Sequence, residues 1–274
     1  MEFVPAASLD EALSQKSHVA DAEFLAGGTD LMVDVNLAHH RPTTVIGLRR
    51  VAELRSLDET RIGAGVTWAT LERSPHRALA QIARTIGSPQ IRAAGTIGGN
   101  IATASPAGDG LPWLAALDAG IEVASAGRGV RVVAWDQFFV GVKATSLAPD
   151  ELITAVVLPG EVPGVQEFAK VGVRNAMVIS VVSCVVVRHP DGFRIALGSV
   201  APTPMRARRA EEMLNGQERV TDSVLGELAR IVAAEVRPIT DHRSTEAYRR
   251  HAAGVLVRRL VERCLPAPRR PGAA

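Results

Sequence analysis

Apolar residues recur in this chain at two spacings, and the switch between them marks out the elements. Residues 23–26 read as a short strand leading into glycines. Behind it, Leu31, Met32 and Val35 share one face of a helix that Thr29 is placed to cap. Residues 45–48 follow a proline and read as a second strand, so the first 55 residues predict a strand–loop–helix–strand unit. Residues 54–65 predict a hairpin turning at Asp58-Glu59. Residues 75–86 have helical spacing with a proline in the first turn, and a further helix is predicted over 111–118. Residues 121–133 predict a hairpin through Gly127-Arg128-Gly129. Residues 158–164, with Pro159, Gly160, Pro163 and Gly164, concentrate turn residues and are the best domain boundary. Beyond them, residues 178–188 and 193–200 read as two strands joined by His189-Pro190-Asp191-Gly192, and helices are predicted near 206–215, 221–236 and 244–264. The whole predicts an α+β chain: a first domain over 1–160 with subdomains of about 1–55 and 56–160, a second over 164–265 with an antiparallel sheet and helices, and a flexible tail over 266–274.

Composition narrows the function. A chain of 274 residues is large enough for two domains and a substantial core. Its net charge of +2 argues against a nucleic-acid binder, which shows a strong basic excess. Cys184 and Cys264 are the only cysteines, too few to hold an iron–sulfur cluster or a structural zinc. The start lacks a secretory leader, and the longest apolar run, residues 176–187, carries Ser180 and Ser183 and is too short to span a bilayer. These features predict a reducing, cytoplasmic setting with no membrane span. His39-His40 reads as a solvated loop pair, and His242 and His251 as surface or interface residues, so no metal site is predicted. No Ser-His-Asp or Cys-His set nominates a nucleophile, which suits a protein whose hard chemistry belongs to a cofactor.

The candidate chemistry lies in two glycine-rich segments. One is Phe24-Leu25-Ala26-Gly27-Gly28-Thr29-Asp30-Leu31; the other is Gly95-Thr96-Ile97-Gly98-Gly99-Asn100-Ile101-Ala102-Thr103-Ala104-Ser105-Pro106, followed by Asp109. Adjacent glycines let backbone N–H groups converge on one point, which is how loops hold phosphate. Either segment alone reads equally well as a tight turn in an ordinary α+β domain. Neither fits the dinucleotide fingerprint or the P-loop: Gly63-Ala64-Gly65-Val66-Thr67-Trp68 lacks the third glycine, and no lysine lies near either segment. A side chain at Gly99 is expected both to fill phosphate space and to violate the backbone angles needed there.

Taken together and in this order, the two segments resemble the FAD-binding subunit of the molybdenum hydroxylases, the family of xanthine dehydrogenase, carbon monoxide dehydrogenase and nicotinate dehydrogenase. The resemblance continues through Phe139-Val140-Gly141, Pro149-Asp150-Glu151-Leu152-Ile153, Lys170-Val171-Gly172-Val173-Arg174 and Asp241-His242-Arg243 with Tyr248-Arg249. It implies a FAD-binding domain of the vanillyl-alcohol-oxidase type in two α/β subdomains. It also implies a FAD cradle of Leu25, Ala26, Gly27, Gly28, Thr29, Asp30 and Leu31 with Thr96, Ile97, Gly98, Gly99 and Asn100, acting by backbone donation. Asp109 matches a further FAD contact, read as an acceptor for a ligand hydroxyl or else as the cap of the helix at Leu111. Ile86 and Ile153 match positions near the cofactor, with core packing as the alternative. Lys170 matches a charge or hydrogen bond near the flavin ring, with a strand-edge lysine as the alternative.

The stretch Ile101 to Pro106 and the segment Lys170 to Met177 resemble the bacterial xanthine dehydrogenase branch, of purine catabolism, more than the carbon monoxide branch. The resemblance therefore implies electrons passing from an iron–sulfur subunit, through FAD, to NAD or another acceptor. Molybdenum cofactor and 2Fe-2S clusters would lie on partner subunits, and the family assembles as a dimer of heterotrimers. The rival readings are the flavin subunit of another hydroxylase (of carbon monoxide, nicotinate or an aldehyde), a self-contained flavin oxidase and a FAD-stabilised assembly protein.

Overall fold

The computed structural model describes residues 1–19 and 21–266; the tail expected over 266–274 lies, beyond Pro266, outside the described residues. The chain opens with β1 (Glu2–Pro5), α1 (Leu9–His18), β2 (Glu23–Leu25), α2 (Leu31–Asn36) and β3 (Thr44–Gly47). The three strands form a parallel sheet in the order β1-β3-β2. A 3₁₀ turn (Ala52–Arg55), β4 (Arg61–Gly63), α3 (Trp68–Leu71), α4 (Arg77–Thr85), α5 (Pro89–Ala94), α6 (Ile97–Thr103) and α7 (Leu111–Ala116) follow. Next come β5 (Gly120–Ser125), β6 (Gly129–Ala134), α8 (Trp135–Phe138), β7 (Phe139–Gly141), β8 (Ala144–Thr145) and β9 (Leu152–Val157). The chain closes with β10 (Gln166–Val171), β11 (Val182–His189), β12 (Gly192–Gly198), β13 (Met205–Arg206), α9 (Arg208–Asn215), α10 (Asp222–Glu235) and α11 (Glu246–Cys264).

Several expected elements form as read. The β5–β6 hairpin turns at Gly129, whose φ of 70° needs a residue without a Cβ. The long C-terminal helices begin at Thr221 and Thr245, whose side chains accept from the N–H of Val224 and Tyr248. The hairpin about Asp58-Glu59 forms as read: the Asp58 carboxylate accepts from the N–H of Thr60 and Arg61, Leu57 bridges Ile62, and the Gly63 and Gly65 N–H groups donate to the Ser56 and Leu54 carbonyls, while β4 also pairs with β9, more than ninety residues on. Three readings change, at Thr29, Pro75 and residues 178–181. Thr29 does not cap α2: Asp30 stands at the cap, without a side-chain bond. Pro75 falls outside α4, which starts after His76. Residues 178–181 are not strand; β11 begins at Val182.

The antiparallel sheet β10-β11-β12-β13 lies between two helical layers, with α7 packed on β12 and β11, α4 on β10, and α11 against β10 and β11. That explains why Val182 through Val187 are all buried instead of alternating. One core, around Trp113, Phe138 and Ile82, takes in Phe168, Val185, Val187 and Ala196 from beyond the turn-rich segment at 158–164. Inside it the Trp113 indole N–H donates to Gln166 Oε1 at 3.1 Å, which satisfies two buried polar groups at once. A second core under α10 and α11 holds Cys184 and Cys264, and burial pushes the Cys264 thiol up to about 12 and Cys184 higher still. Both thiols are therefore expected to resist a thiol reagent such as DTNB in the native chain and to react once it unfolds; reaction in the folded chain, followed by absorbance, contradicts this.

Candidate functional site

Strand β2 ends at Leu25, whose carbonyl accepts from the Leu48 N–H, and delivers the first glycine segment to the edge of the parallel sheet. Gly28 has φ of 69°, so the chain turns sharply before α2. Among the described residues, the backbone N–H groups of Gly27, Gly28, Thr29, Asp30 and Leu31 meet no acceptor. Consecutive free N–H groups around a positive-φ glycine form an anion-binding concavity. On α2 the expected apolar face of Leu31, Met32 and Val35 is half-buried, with none of the three fully buried, while Val33 and Leu37, off that face, are exposed.

The second glycine segment packs against the first. A Cβ on Gly27 would collide with the Ala94 carbonyl, one on Gly95 would sit 3.2 Å from Thr29 Oγ1, and Thr103 Oγ1 donates to Asp30 Oδ2 at 3.1 Å. Yet this segment is not a loop. Thr96 caps α6 by accepting from the Gly99 N–H, so Ile97, Gly98, Gly99 and Asn100 form a helical first turn. The Ile97 and Gly98 N–H groups donate to Val66 and Ala64 carbonyls at 3.0 and 2.9 Å, and the Asn100 N–H to Thr96. The expected backbone donation from Ile97 to Asn100 is thus already spent inside the protein. Gly98 is needed because a Cβ there would lie 2.6 Å from Ala64 Cβ. Gly99 is open: its Cβ would meet only Thr96 Oγ1, at 3.2 Å. The Asn100 side-chain amide oxygen, Oδ1, is buried without a hydrogen-bond partner, next to Gly110.

The remaining expected residues fall into two places. Ile153, on β9, is 4% exposed and lies in the main core. Ile86 ends α4, half-buried, with its carbonyl and that of Gly87 accepting from Arg92 Nη1 at 3.2 and 2.9 Å. Asp109 and Lys170 meet as a buried ion pair at 2.7 Å, and Ser180 Oγ donates to the other Asp109 oxygen at 2.5 Å. Asp109 does not cap α7, which starts after Gly110 with no side-chain bond. Lys170 stands on the edge strand β10, but its ammonium is turned inward, not toward solvent. Sequence reading passed over Arg92 and Ser180, for which no local pattern gives a signal, and assigned no role to Thr103 within the second glycine segment. Among the described residues no three His, Cys, Asp or Glu side chains gather as a metal site.

A family profile described as the FAD binding domain in molybdopterin dehydrogenase matches residues 1–161. The chain belongs to this family. A second profile, the carbon monoxide dehydrogenase flavoprotein C-terminal domain, matches residues 167–264. The nicotine 6-hydroxylase medium subunit of Paenarthrobacter nicotinovorans is 34% identical, with 95% of this chain and 96% of that protein covered. The xanthine dehydrogenase FAD-binding subunit of Escherichia coli is 30% identical over 96% of this chain and 95% of its own length. A carbon monoxide dehydrogenase structure from Hydrogenophaga pseudoflava superposes with a TM-score of 0.88 at 30% identity, covering 96% of each chain. The site fits the cofactor of this molybdopterin dehydrogenase FAD-binding family: free N–H groups at Gly27 to Leu31 for a pyrophosphate, open space over Gly99, and an unpartnered Asn100 oxygen able to accept from a ligand hydroxyl or amine.

Proposed function

We propose that this chain is the FAD-carrying electron-transfer subunit of a multi-subunit molybdenum hydroxylase of the xanthine dehydrogenase kind. The observation that carries the reading is the run of acceptor-free N–H groups at Gly27, Gly28, Thr29, Asp30 and Leu31 set against the open face at Gly99. Bound FAD supplies the redox chemistry, accepting and releasing electrons singly or in pairs. The chain's own residues bind and orient it. The Gly27–Leu31 N–H groups offset the pyrophosphate charge, Thr96 and Gly98 fix α6 so that Gly99 leaves room, and Asn100 offers the acceptor. Transfer of electrons needs closeness rather than a proton donor, so no acid–base pair is required here.

Electrons enter from 2Fe-2S clusters on an iron–sulfur subunit and leave to NAD or another acceptor, while substrate is hydroxylated at the molybdenum cofactor of a third subunit. The assembly is a cytoplasmic dimer of heterotrimers, and purine catabolism is its setting. The chain divides into a FAD-binding unit over 1–160 and a C-terminal unit over 164–265; the absence of helix or strand between Val157 and Gln166 supports this. A hydroxylase of an N-heterocycle such as nicotine is the second reading, favoured by the 34% identity to the nicotine 6-hydroxylase medium subunit.

Reconstitution tests both. The purified chain should carry FAD that acid precipitation releases into the supernatant, and it should not oxidise xanthine alone. Combined with its iron–sulfur and molybdenum partners it should reduce NAD or a dye when xanthine is added. Turnover with nicotine or nicotinate but not xanthine selects the second reading, and full turnover by this chain alone overturns both.

A further inference from the structure

We propose that Lys170 is a positioning residue: its buried ion pair with Asp109 is a strut that fixes the end of α4 and the 172–181 segment against the cradle, and its ammonium is not a flavin ligand. The proposal rests on the reading of the site as a FAD cradle. An ammonium has three N–H bonds to give. In Lys170 all three are taken: by Asp109 Oδ2 at 2.7 Å, the Thr85 carbonyl at 3.0 Å and the Val178 carbonyl at 3.2 Å. The two side chains are 9% and 6% exposed, unlike a lysine that only blunts a sheet edge.

The partners come from three distant parts of the chain. Thr85 is the last residue of α4, and its carbonyl and those of Ile86 and Gly87 are each bonded by a cation, Lys170 for the first and Arg92 for the other two. Cations there satisfy carbonyls that the helix leaves open and offset the negative end of its dipole. Ile86, which by family resemblance faces the cofactor, is thereby clamped between them. Val178 and Ser180 lie in the irregular segment ahead of β11, and Lys170 and Asp109 hold one each. Asp109 precedes Gly110, which abuts the unpartnered Asn100 side-chain oxygen of the cradle and the buried Trp68 ring. Removing either charge leaves the other buried without its partner, so both losses loosen the same wall.

The sign of the flavin midpoint potential separates a strut from a direct electrostatic contact. If Lys170 acts on the flavin by its charge, K170M removes a cation that favours the reduced, anionic ring and lowers the potential, whereas D109N removes an anion and raises it. A strut shifts the potential in the same direction in both variants, and K170M/D109N shifts it no further than the larger single effect. The variants should also bind FAD on the order of tenfold more weakly, as expected for a broken buried pair, read by flavin fluorescence titration. In the flavin-free chain, trypsin should cut at Arg174, in the tethered segment, on the order of tenfold faster than in the parent, because local opening is easier. D109N is isosteric and carries the comparison with the parent if K170M does not fold. Opposite potential shifts, an unshifted potential in both variants, or unchanged cleavage at Arg174 overturns the proposal. A parent chain that binds no FAD sinks the cradle reading instead, and the trypsin comparison then still decides the strut.

Discussion

Gly99→Val is expected to leave a folded chain that no longer retains flavin. On the proposed reading the first glycine segment supplies the N–H groups, while the second stays out of the way at Gly99. A Cβ at Gly99 meets only Thr96 Oγ1, at 3.2 Å, so the protein itself has room for a side chain. The position is the third residue of a helix with ordinary helical angles, which removes the conformational penalty the sequence suggests. Valine and glycine differ by only a few tenths of a kcal/mol in helix preference. The loss therefore falls on whatever occupies the open side. Flavin absorbance per protein should drop to background while the melting temperature of the flavin-free chain stays near the parent's. The control is Gly98→Val, whose Cβ would press on Ala64 and should lower stability whether or not flavin is present. Full flavin content in Gly99→Val would show that the second segment does not line the cradle.

The second large effect is on stability, at Arg206. Its guanidinium is 4% exposed and forms two bonds to Glu211, at 2.5 and 2.6 Å, with a further bond to Asp118 at 3.0 Å. Asp118 sits just after α7, where it also accepts from Arg194 and from the Trp135 indole. Arg206 thus joins the C-terminal sheet to the core around Trp113. Arg206→Met keeps most of the apolar stem but leaves Glu211 buried without a cation, a loss of about 3–5 kcal/mol. For a chain of this size that lowers the thermal midpoint by about 10 °C. Calorimetry checks it. Because Glu211 also accepts from the Ile195 N–H at 2.7 Å, Arg206→Met with Glu211→Gln should cost less than Arg206→Met alone, since the neutral amide keeps an acceptor and buries no charge. Equal stability of Arg206→Met and the parent would show the pair to be dispensable.

The sequence by itself determined what depends on neighbours along the chain. The β5–β6 hairpin, the helices capped by Thr221 and Thr245, and the turn at Asp58 follow from side chains a few residues apart, so local pattern finds them. The first glycine segment is legible for the same reason, because Gly28 must turn. Tertiary structure decided what depends on distant partners. The carbonyls of Val66 and Ala64, some thirty residues away, occupy the Ile97 and Gly98 N–H groups of α6, whereas those of the first segment stay open. The strand read over 178–188 begins only at Val182, and ahead of it the Val178 carbonyl and the Ser180 hydroxyl bond instead to Lys170 and Asp109, groups that no spacing rule connects to them. Lys170 itself looks like an edge-strand lysine in the sequence. Only the folding of α4 and residue 109 onto β10 buries its charge, and burial makes the pairing with Asp109 obligatory.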